Sequence, residues 1–167
     1  MINCCDMDKN FQLKMIGIVR KNENGFIIEL AKSYHSALAK LEGFSHLQIV
    51  MWGHLTDNPM SRANLITKQL FKKGPDEVGV FATRHPSRPN PILISTIYVE
   101  RIDFEQGMIY TPFLDVVPET PVLDIKPYLP MERVKNCSVP SWLSHWPKWL
   151  EEASSFDWHN EINFIDI

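Results

Sequence analysis

The chain has 167 residues, 44% of them hydrophobic and 22% charged, with 17 basic against 20 acidic side chains for a formal net charge of −3. This composition is globular rather than disordered, and a chain of this length buries enough surface, roughly 70% of what its unfolded form exposes, to dispense with disulfide or metal staples. An isoelectric point near 6.1 excludes a broad polyanion-gripping surface, so any nucleic-acid contact has to be a local basic patch.

The apolar runs fall well short of the ~20 residues of a membrane span. Asp6, Asp8 and Lys9 stand where a signal peptide would be apolar, which points to a cytoplasmic protein without a membrane partner. Cys4, Cys5 and Cys137 lack CxxC spacing, so no metal site is expected. They read as reduced thiols, with a redox-sensitive end at Cys4 and Cys5 as the alternative.

In chain order, Gln12 to Arg20 and Phe26 to Leu30 are apolar runs separated by Asn22-Glu23-Asn24-Gly25, which predicts a hairpin. Ser33 is placed to cap a short helix carrying Ala37, Leu38 and Leu41, with Gly43 beyond it. His46 to His54 predicts a mostly buried strand. Asp57 to Lys73 reads as a surface helix or excursion, Val78 to Ala82 as a short strand, Ile92 to Ile102 as a longer β-branched strand, and Met108 to Tyr110 as its successor after a Glu105-Gln106-Gly107 turn. Trp142, Trp146 and Trp149 crowd a segment whose aromatic residues are expected to pack. No internal repeat or linker divides the chain. The expectation is a single domain over 1–167, with a core at about 12–135 and a Trp-rich C-terminal segment at 136–167. The class is mainly β (β-rich α+β), a small barrel or curled sheet with one or two peripheral helices.

The densest chemistry lies in Gly79 to Pro91, GVFATRHPSRPNP. Pro86, Pro89 and Pro91 stiffen the loop in advance, so Arg84, Arg88 and Asn90 are presented at little entropic cost. Guanidinium forks at a strand end suit an anionic or nucleotide-like ligand; the other reading is arginines paired with surface acids. In Thr120 to Pro130, TPVLDIKPYLP, Asp124, Lys126 and Tyr128 share one strand face by their spacing of two. They suit either a poised proton acceptor or an ion pair at a sheet rim. His46 and His54, eight apart, read on spacing as hydrogen-bonded residues at the core edge. P-loop, GxGxxG, GxSxG and HExxH motifs are all missing.

These two motifs, preceded by IGIVR at Ile16 and LEGFSHLQIVMWGH at Leu41, resemble the TsaA/TrmO family over about Met15 to Arg133. The resemblance implies a single-sheeted TsaA-like β-barrel, a homodimer with its cofactor site near the subunit contact, and methyl transfer from S-adenosyl-L-methionine. It implies as acceptor the exocyclic N6 of threonylcarbamoyl-adenosine beside a tRNA anticodon. Carried over by motif, the cofactor residues are His54, Leu55, Arg84, Leu93, Pro112, Phe113, Leu114 and Asp115, with Arg84 assigned to the methionine carboxylate. The candidates beside the acceptor are Asp124, Lys126, Tyr128, Arg88 and Asn90. Two other readings stand beside this one: a methyltransferase of the same fold acting on a small molecule or other substrate, and a cofactor-binding module without turnover.

Three departures from the family pattern bear on the site. The family's Pro-Arg-Gln after the first strand is replaced by a direct passage from Arg20 to Gly25. Leu93 follows RPNPI where the pattern has glycine, and Glu119 precedes Thr120 where the pattern reads GTPV. Lys68, Lys72, Lys73, Arg84, Arg88, Lys126, Arg133 and Lys135 are candidates for a basic face.

Overall fold

A computed structural model describes residues 11–163. The expectations for Cys4, Cys5 and the charged start therefore lie outside the described residues. In chain order the elements are β1 (Gly17–Asn22), β2 (Gly25–Leu30), β3 (His46–Trp52), α1 (Pro59–Arg62), β4 (Ile66–Lys68), β5 (Glu77–Gly79), β6 (Ile92–Tyr98), β7 (Arg101–Asp103), β8 (Met108–Thr111) and β9 (Pro121–Pro127), with short 3-10 turns between and after them. The mainly β reading is borne out. Among the described residues no helix is long and apolar enough to cross a membrane.

The chain divides into two compact units, Met1–Trp52 with Ile94–Tyr128 and Gly53–Leu93 with Leu129–Ile167. The first unit is built on an antiparallel sheet whose strand order is β6-β3-β9-β1-β2-β8-β7. Alternation in β3 sends Leu47, Ile49 and Met51 inward, where they meet Val19, Ile28, Ile109 and Val122, all wholly removed from solvent. Each such side chain contributes about 1.5–3 kcal/mol.

The hairpin forms where the sequence indicates it, with Asn22 paired to Gly25 and Asn22 Oδ1 accepting the Asn24 N–H at 2.9 Å. Glycine is required at position 25: φ is +137°, and a Cβ would lie 2.6 Å from the Thr111 carbonyl oxygen. A β-bulge shifts the β3/β9 register, so that Val50 faces Asp124 while Met51 faces Val122. Leu123 is the extra residue. Were Leu123 in regular alternation, Asp124 would share the buried face of Val122; the bulge instead puts Asp124 with Lys126 on the outer face.

In the second unit, Asn58 caps α1 by accepting the Ser61 N–H at 2.9 Å, with Pro59 opening the helix. β4 and β5 form a two-stranded ribbon. The C-terminal segment adds to it: Phe71 bridges Ile162, the Lys72 N–H donates to Glu161 O at 2.8 Å and the Asn163 N–H to Leu70 O at 2.9 Å. Phe71 stacks against Trp142 and Trp146 at centroid distances of 4.7 and 5.8 Å, and Trp146 meets Trp158 edge-on at 5.0 Å. Trp149, by contrast, is exposed.

Several local expectations are corrected. β1 begins at Gly17 rather than Gln12, and Leu13 and Met15 are exposed. The predicted helix is a 3-10 stretch, Lys32–Leu38, entered from Ala31 with no side-chain cap, so Ser33 does not serve as one. Val78–Ala82 divides into the end of β5 and a 3-10 turn, Val80–Ala82. Ile92–Ile102 breaks after Tyr98, where the Val99 N–H turns to Ser45 O at 2.8 Å. β3 ends at Trp52, and His54 opens a 3-10 turn, so the strand alternation that was to align His46 with His54 does not reach the second histidine.

Candidate functional site

The proline-rich loop of the second unit is held from inside by its own polar groups. Thr83 Oγ1 donates to Val80 O at 2.8 Å and accepts the His85 N–H at 3.1 Å. The Ser87 N–H donates to His85 Nδ1 at 3.0 Å. Arg88 turns back into the loop, its two terminal nitrogens donating to Thr83 O and Val80 O at 3.3 and 3.4 Å. Asn64 donates to Ser87 O at 3.1 Å, Thr56 Oγ1 shares its hydrogen between Gly53 O and Pro86 O, and the Gly53 N–H reaches Pro91 O at 2.7 Å. Prolines restrict the backbone, and these bonds select one of the conformations that remain.

This bracing leaves Arg84, Asn90 and Leu55 exposed and His54 and Leu93 half-buried. His85, which motif reasoning passed over, is the loop's titratable hinge. Because a backbone N–H only donates, Nδ1 is an acceptor and the neutral ring carries its proton on Nε2. Burial, helped by the Arg88 charge, holds the imidazole pKa below its ordinary value. The signal available in sequence was a histidine between two arginines and two prolines, a setting that disfavours its charged form.

In the first unit, Pro112 to Asp115 forms the other predicted cofactor segment. Leu114 is buried at 2% exposure and anchors it, so only its backbone is free to face a ligand, while Phe113 is 68% exposed. Thr111 Oγ1 donates to Phe113 O at 3.1 Å, and the Phe113 ring stands edge-on to Phe26. Asp115 is an exposed carboxylate.

The outer face of β9 brings two predicted residues together: Lys126 Nζ lies 2.7 Å from Asp124 Oδ2, and Asp124 Oδ1 accepts the Ile125 N–H at 2.9 Å. The hydrogen bond and charge of Asp124 raise the lysine pKa, so Lys126 stays protonated and is a poor proton acceptor. Tyr128 continues the pairing, its N–H donating to His46 O at 3.1 Å. The His46 ring lies edge-on to both Tyr98 and Tyr128, at 5.6 and 6.5 Å, with Ser45 Oγ 2.9 Å from its Nδ1. His46 thus sits in the same half-exposed aromatic cluster as Tyr128, a neighbourhood the sequence could not reveal because Tyr98 comes from another strand.

Three of the eight residues anticipated as a basic face are paired with acids. Lys68 pairs with Glu77 at 2.8 Å, Lys73 with Glu161 at 2.5 Å and Lys126 with Asp124. Lys72 donates to His159 O at 2.5 Å, and Arg88 is turned onto carbonyls. Among the described residues no group of three or more His, Cys, Asp or Glu is placed to hold a metal ion.

The model of the tRNA-methyltransferase O N-terminal domain matches residues 15–132. The chain belongs to this family. It is 42% identical over 95 residues to the tRNA (adenine(37)-N6)-methyltransferase of Eikenella corrodens, covering 56% of this chain and 52% of that one. It is 32% identical over 116 residues to a probable S-adenosyl-L-methionine-binding protein of Methanocaldococcus jannaschii, covering 70% of this chain and 90% of the relative. A crystal structure of TrmO from Pseudomonas aeruginosa superposes with a TM-score of 0.58 at 27% identity, over 78% of this chain and 60% of that one. The chain therefore spans about half the length of the Eikenella methyltransferase, whereas it covers nearly all of the archaeal binding protein.

Against the family pattern, the two missing glycines have different consequences. Leu93 lies in β6, outside the positive-φ region, whereas Glu119 has φ +68°. Only the second position keeps a backbone conformation that favours glycine.

Proposed function

We propose that this protein is a methyltransferase that uses S-adenosyl-L-methionine and methylates N6 of a modified adenosine, threonylcarbamoyl-adenosine, beside a tRNA anticodon. The observation that carries the reading is the 42% identity over 95 residues to a tRNA (adenine(37)-N6)-methyltransferase, beside the family match at residues 15–132. The proposal extends to a homodimer acting in the cytoplasm.

The groups of each unit suit parts of the cofactor. In the second unit, the side chains of Leu55 and Leu93 suit an apolar ring, the guanidinium of Arg84 suits the methionine carboxylate, and His54 offers a polar ring nitrogen. In the first unit, the exposed phenyl ring of Phe113 suits stacking on a base, the Asp115 carboxylate suits hydroxyls or an ammonium, and Pro112 and Leu114 offer backbone groups. The bound cofactor supplies a methyl group already activated by its sulfonium. The protein has then to align donor and acceptor nitrogen, which is worth up to about 7–11 kcal/mol, and to receive the proton the nitrogen gives up.

Asp124 is the candidate acceptor, because it is the carboxylate among the candidates beside the acceptor nitrogen, and its Oδ2 and Oδ1 are held on the outer face by Lys126 and the Ile125 N–H. Lys126 positions it, and Tyr128 packs beside His46 just past the end of β9. Asn90 is exposed and able to bond the substrate, while Arg88 acts by bracing the loop that carries Arg84.

A second reading is a cofactor-binding module without turnover, favoured by coverage of 90% of the archaeal binding protein. Melting of the purified chain with and without S-adenosylmethionine, followed by transfer of a radiolabelled methyl group to bulk tRNA, separates the two. A later melt with label in tRNA supports the methyltransferase; a later melt without label supports the module; no shift overturns both. At 100 times the dissociation constant the ligand stabilises by ~2.7 kcal/mol.

A further inference from the structure

At the hairpin end of the first unit lies a cavity of about 320 Å³ lined by Asn22, Asn24, Phe26, Glu100, Arg101, Tyr110 and Thr111. None of these residues is among the cofactor or transfer candidates named above, although Phe26 and Thr111 touch Phe113 of the cofactor segment. The cavity is of the size of small-ligand sites, and its polar groups converge from three places: the β1–β2 turn, the start of β7 and the end of β8.

Arg101 distinguishes it. Its guanidinium carbon lies 3.3 Å from the centroid of the Tyr110 ring, and among the described residues no carboxylate pairs with it. Lys21, whose Nζ sits 5.4 Å from the centroid of the Phe26 ring, has no carboxylate partner among the described residues either, but the pairing of Lys21 with Phe26 and of Arg101 with Tyr110 puts it on the other face of the sheet. These cations contrast with Lys68, Lys73 and Lys126, which are paired with acids. A guanidinium laid flat on a phenol is fixed in orientation and keeps one face for another planar group. Glu100 adds an acceptor for amine hydrogens, and the amides of Asn22 and Asn24 add donors and acceptors. A site for a simple anion would not place a carboxylate beside the arginine.

Planar face, carboxylate and amides together match one unpaired nucleotide: the base stacks on the guanidinium, an exocyclic amine bonds Glu100, and the amides of Asn22 and Asn24 meet the remaining polar edge. Bases turned out of single-stranded RNA are recognised by stacking on arginine planes and by bonds to their edges. We propose that this cavity binds a single-stranded nucleotide of the RNA substrate, displaced from the nucleotide that is methylated, and that Arg101 is its stacking platform and Glu100 its base-selecting group. This rests on the tRNA reading given above.

The test uses the full chain and fluorescently labelled eight-nucleotide RNAs, oligo-A, oligo-C and oligo-U, titrated by anisotropy, with calorimetry of S-adenosylmethionine alongside. Arg101→Ala is expected to weaken oligo-A binding at least tenfold with the S-adenosylmethionine affinity unchanged. Arg101→Lys, which keeps the charge and loses the plane, should recover less than half of that loss on a logarithmic scale. Glu100→Gln should reduce the preference for oligo-A and oligo-C over oligo-U, which lacks an exocyclic amine. RNA binding by Arg101→Ala within twofold of the wild type overturns the proposal, as does full rescue by lysine, which would mean charge without stacking. Loss of S-adenosylmethionine binding in Arg101→Ala overturns it too, by giving the cavity to the cofactor. Methyl transfer to tRNA by the wild-type chain, scored separately, shows whether the parent reading stands when this one fails.

Discussion

Arg20 holds Glu119 in a left-handed backbone conformation. Its guanidinium donates to both Glu119 carboxylate oxygens and to Glu29 Oε2, while Glu119 keeps φ +68° and donates its N–H to Val19 O at 2.8 Å. The hydrogen bond to Glu29 first, then that to Glu119, raises the arginine pKa. The backbone at this turn therefore costs energy that a surface ion pair offsets only in part, since both partners are about half exposed and solvent screens their attraction.

Substitution at Glu119 separates these effects. Glu119→Gly relieves a strain of roughly 1–2 kcal/mol and loses the pair, so the melting temperature should hold or rise. Glu119→Ala keeps the strain and loses the pair, so it should be less stable than the glycine variant by about 1 kcal/mol. Equal melting temperatures for the two variants would mean the conformation is unstrained.

Thr67 is 8% exposed, and among the described residues its Oγ1 has no hydrogen-bond partner. A buried hydroxyl without a partner costs about 1–3 kcal/mol. Thr67→Val keeps the shape and removes the polar atom, so chemical denaturation should show a midpoint shifted upward with an unchanged slope. A downward shift would reveal a partner for the hydroxyl.

Much of this fold was legible in the sequence, and its limits have physical causes. The hairpin at Asn22 to Gly25, the buried side of β3 and the break at Gly107 follow from turn chemistry and alternation, which are local. The β3/β9 bulge is not local: a spacing of two correctly put Asp124 and Lys126 on one face, yet which face depends on Leu123 finding no partner on another strand. His54 was misaligned because alternation was carried past the end of β3. The basic face is smaller than its lysines suggest, because the fold brings acids to some of them from up to 88 positions away, as Glu161 is brought to Lys73. The site motifs were visible as residue types; that Arg88 braces the loop rather than standing free depends on the loop's own closure.

The two residues to which the proposed function gives the sharpest roles are separable by kinetics. If Arg84 pairs with the methionine carboxylate, Arg84→Ala should raise the dissociation constant for S-adenosylmethionine on the order of 10- to 100-fold, the loss of one charged hydrogen bond. If Asp124 takes the proton, Asp124→Asn should leave that constant unchanged and lower the rate of single-turnover methyl transfer, because the proposed role needs the carboxylate only where the nitrogen gives up its proton. Calorimetry and rapid-quench kinetics check the pair; a transfer rate unchanged in Asp124→Asn assigns the carboxylate to the Lys126 pair alone.

The loop that carries Arg84 should respond to acid through His85. Its folded pKa lies below the ordinary value of 6.5, so the braced loop is fully favoured above 6.5 and loses that support as the pH falls through the lowered value. Protonation places hydrogen on Nδ1 and ends its acceptance of the Ser87 N–H. The S-adenosylmethionine affinity should fall below pH 6.5 in the wild type, and His85→Asn should flatten that dependence. A parallel fall in both proteins would locate the acid-sensitive group elsewhere.

The C-terminal segment should show acid sensitivity in a lower range. Glu161 has a side chain 5% exposed; Lys73 first, then His145 at 2.7 Å and the Trp146 indole N–H hold its pKa down, from 4.5 to about 2. A depressed carboxylate contributes stability above its unfolded pKa and loses it as the pH drops through the folded one. Glu161→Gln should therefore melt below the wild type at pH 7, and the gap should narrow between pH 4.5 and about 2, where the wild type is protonated in turn. Since Trp142 and Trp146 pack on Phe71 beside this cluster, tryptophan fluorescence follows the segment directly. A gap that stays constant across that range would show that the charge of Glu161 does not secure the segment and that its hydrogen-bonding shape alone does.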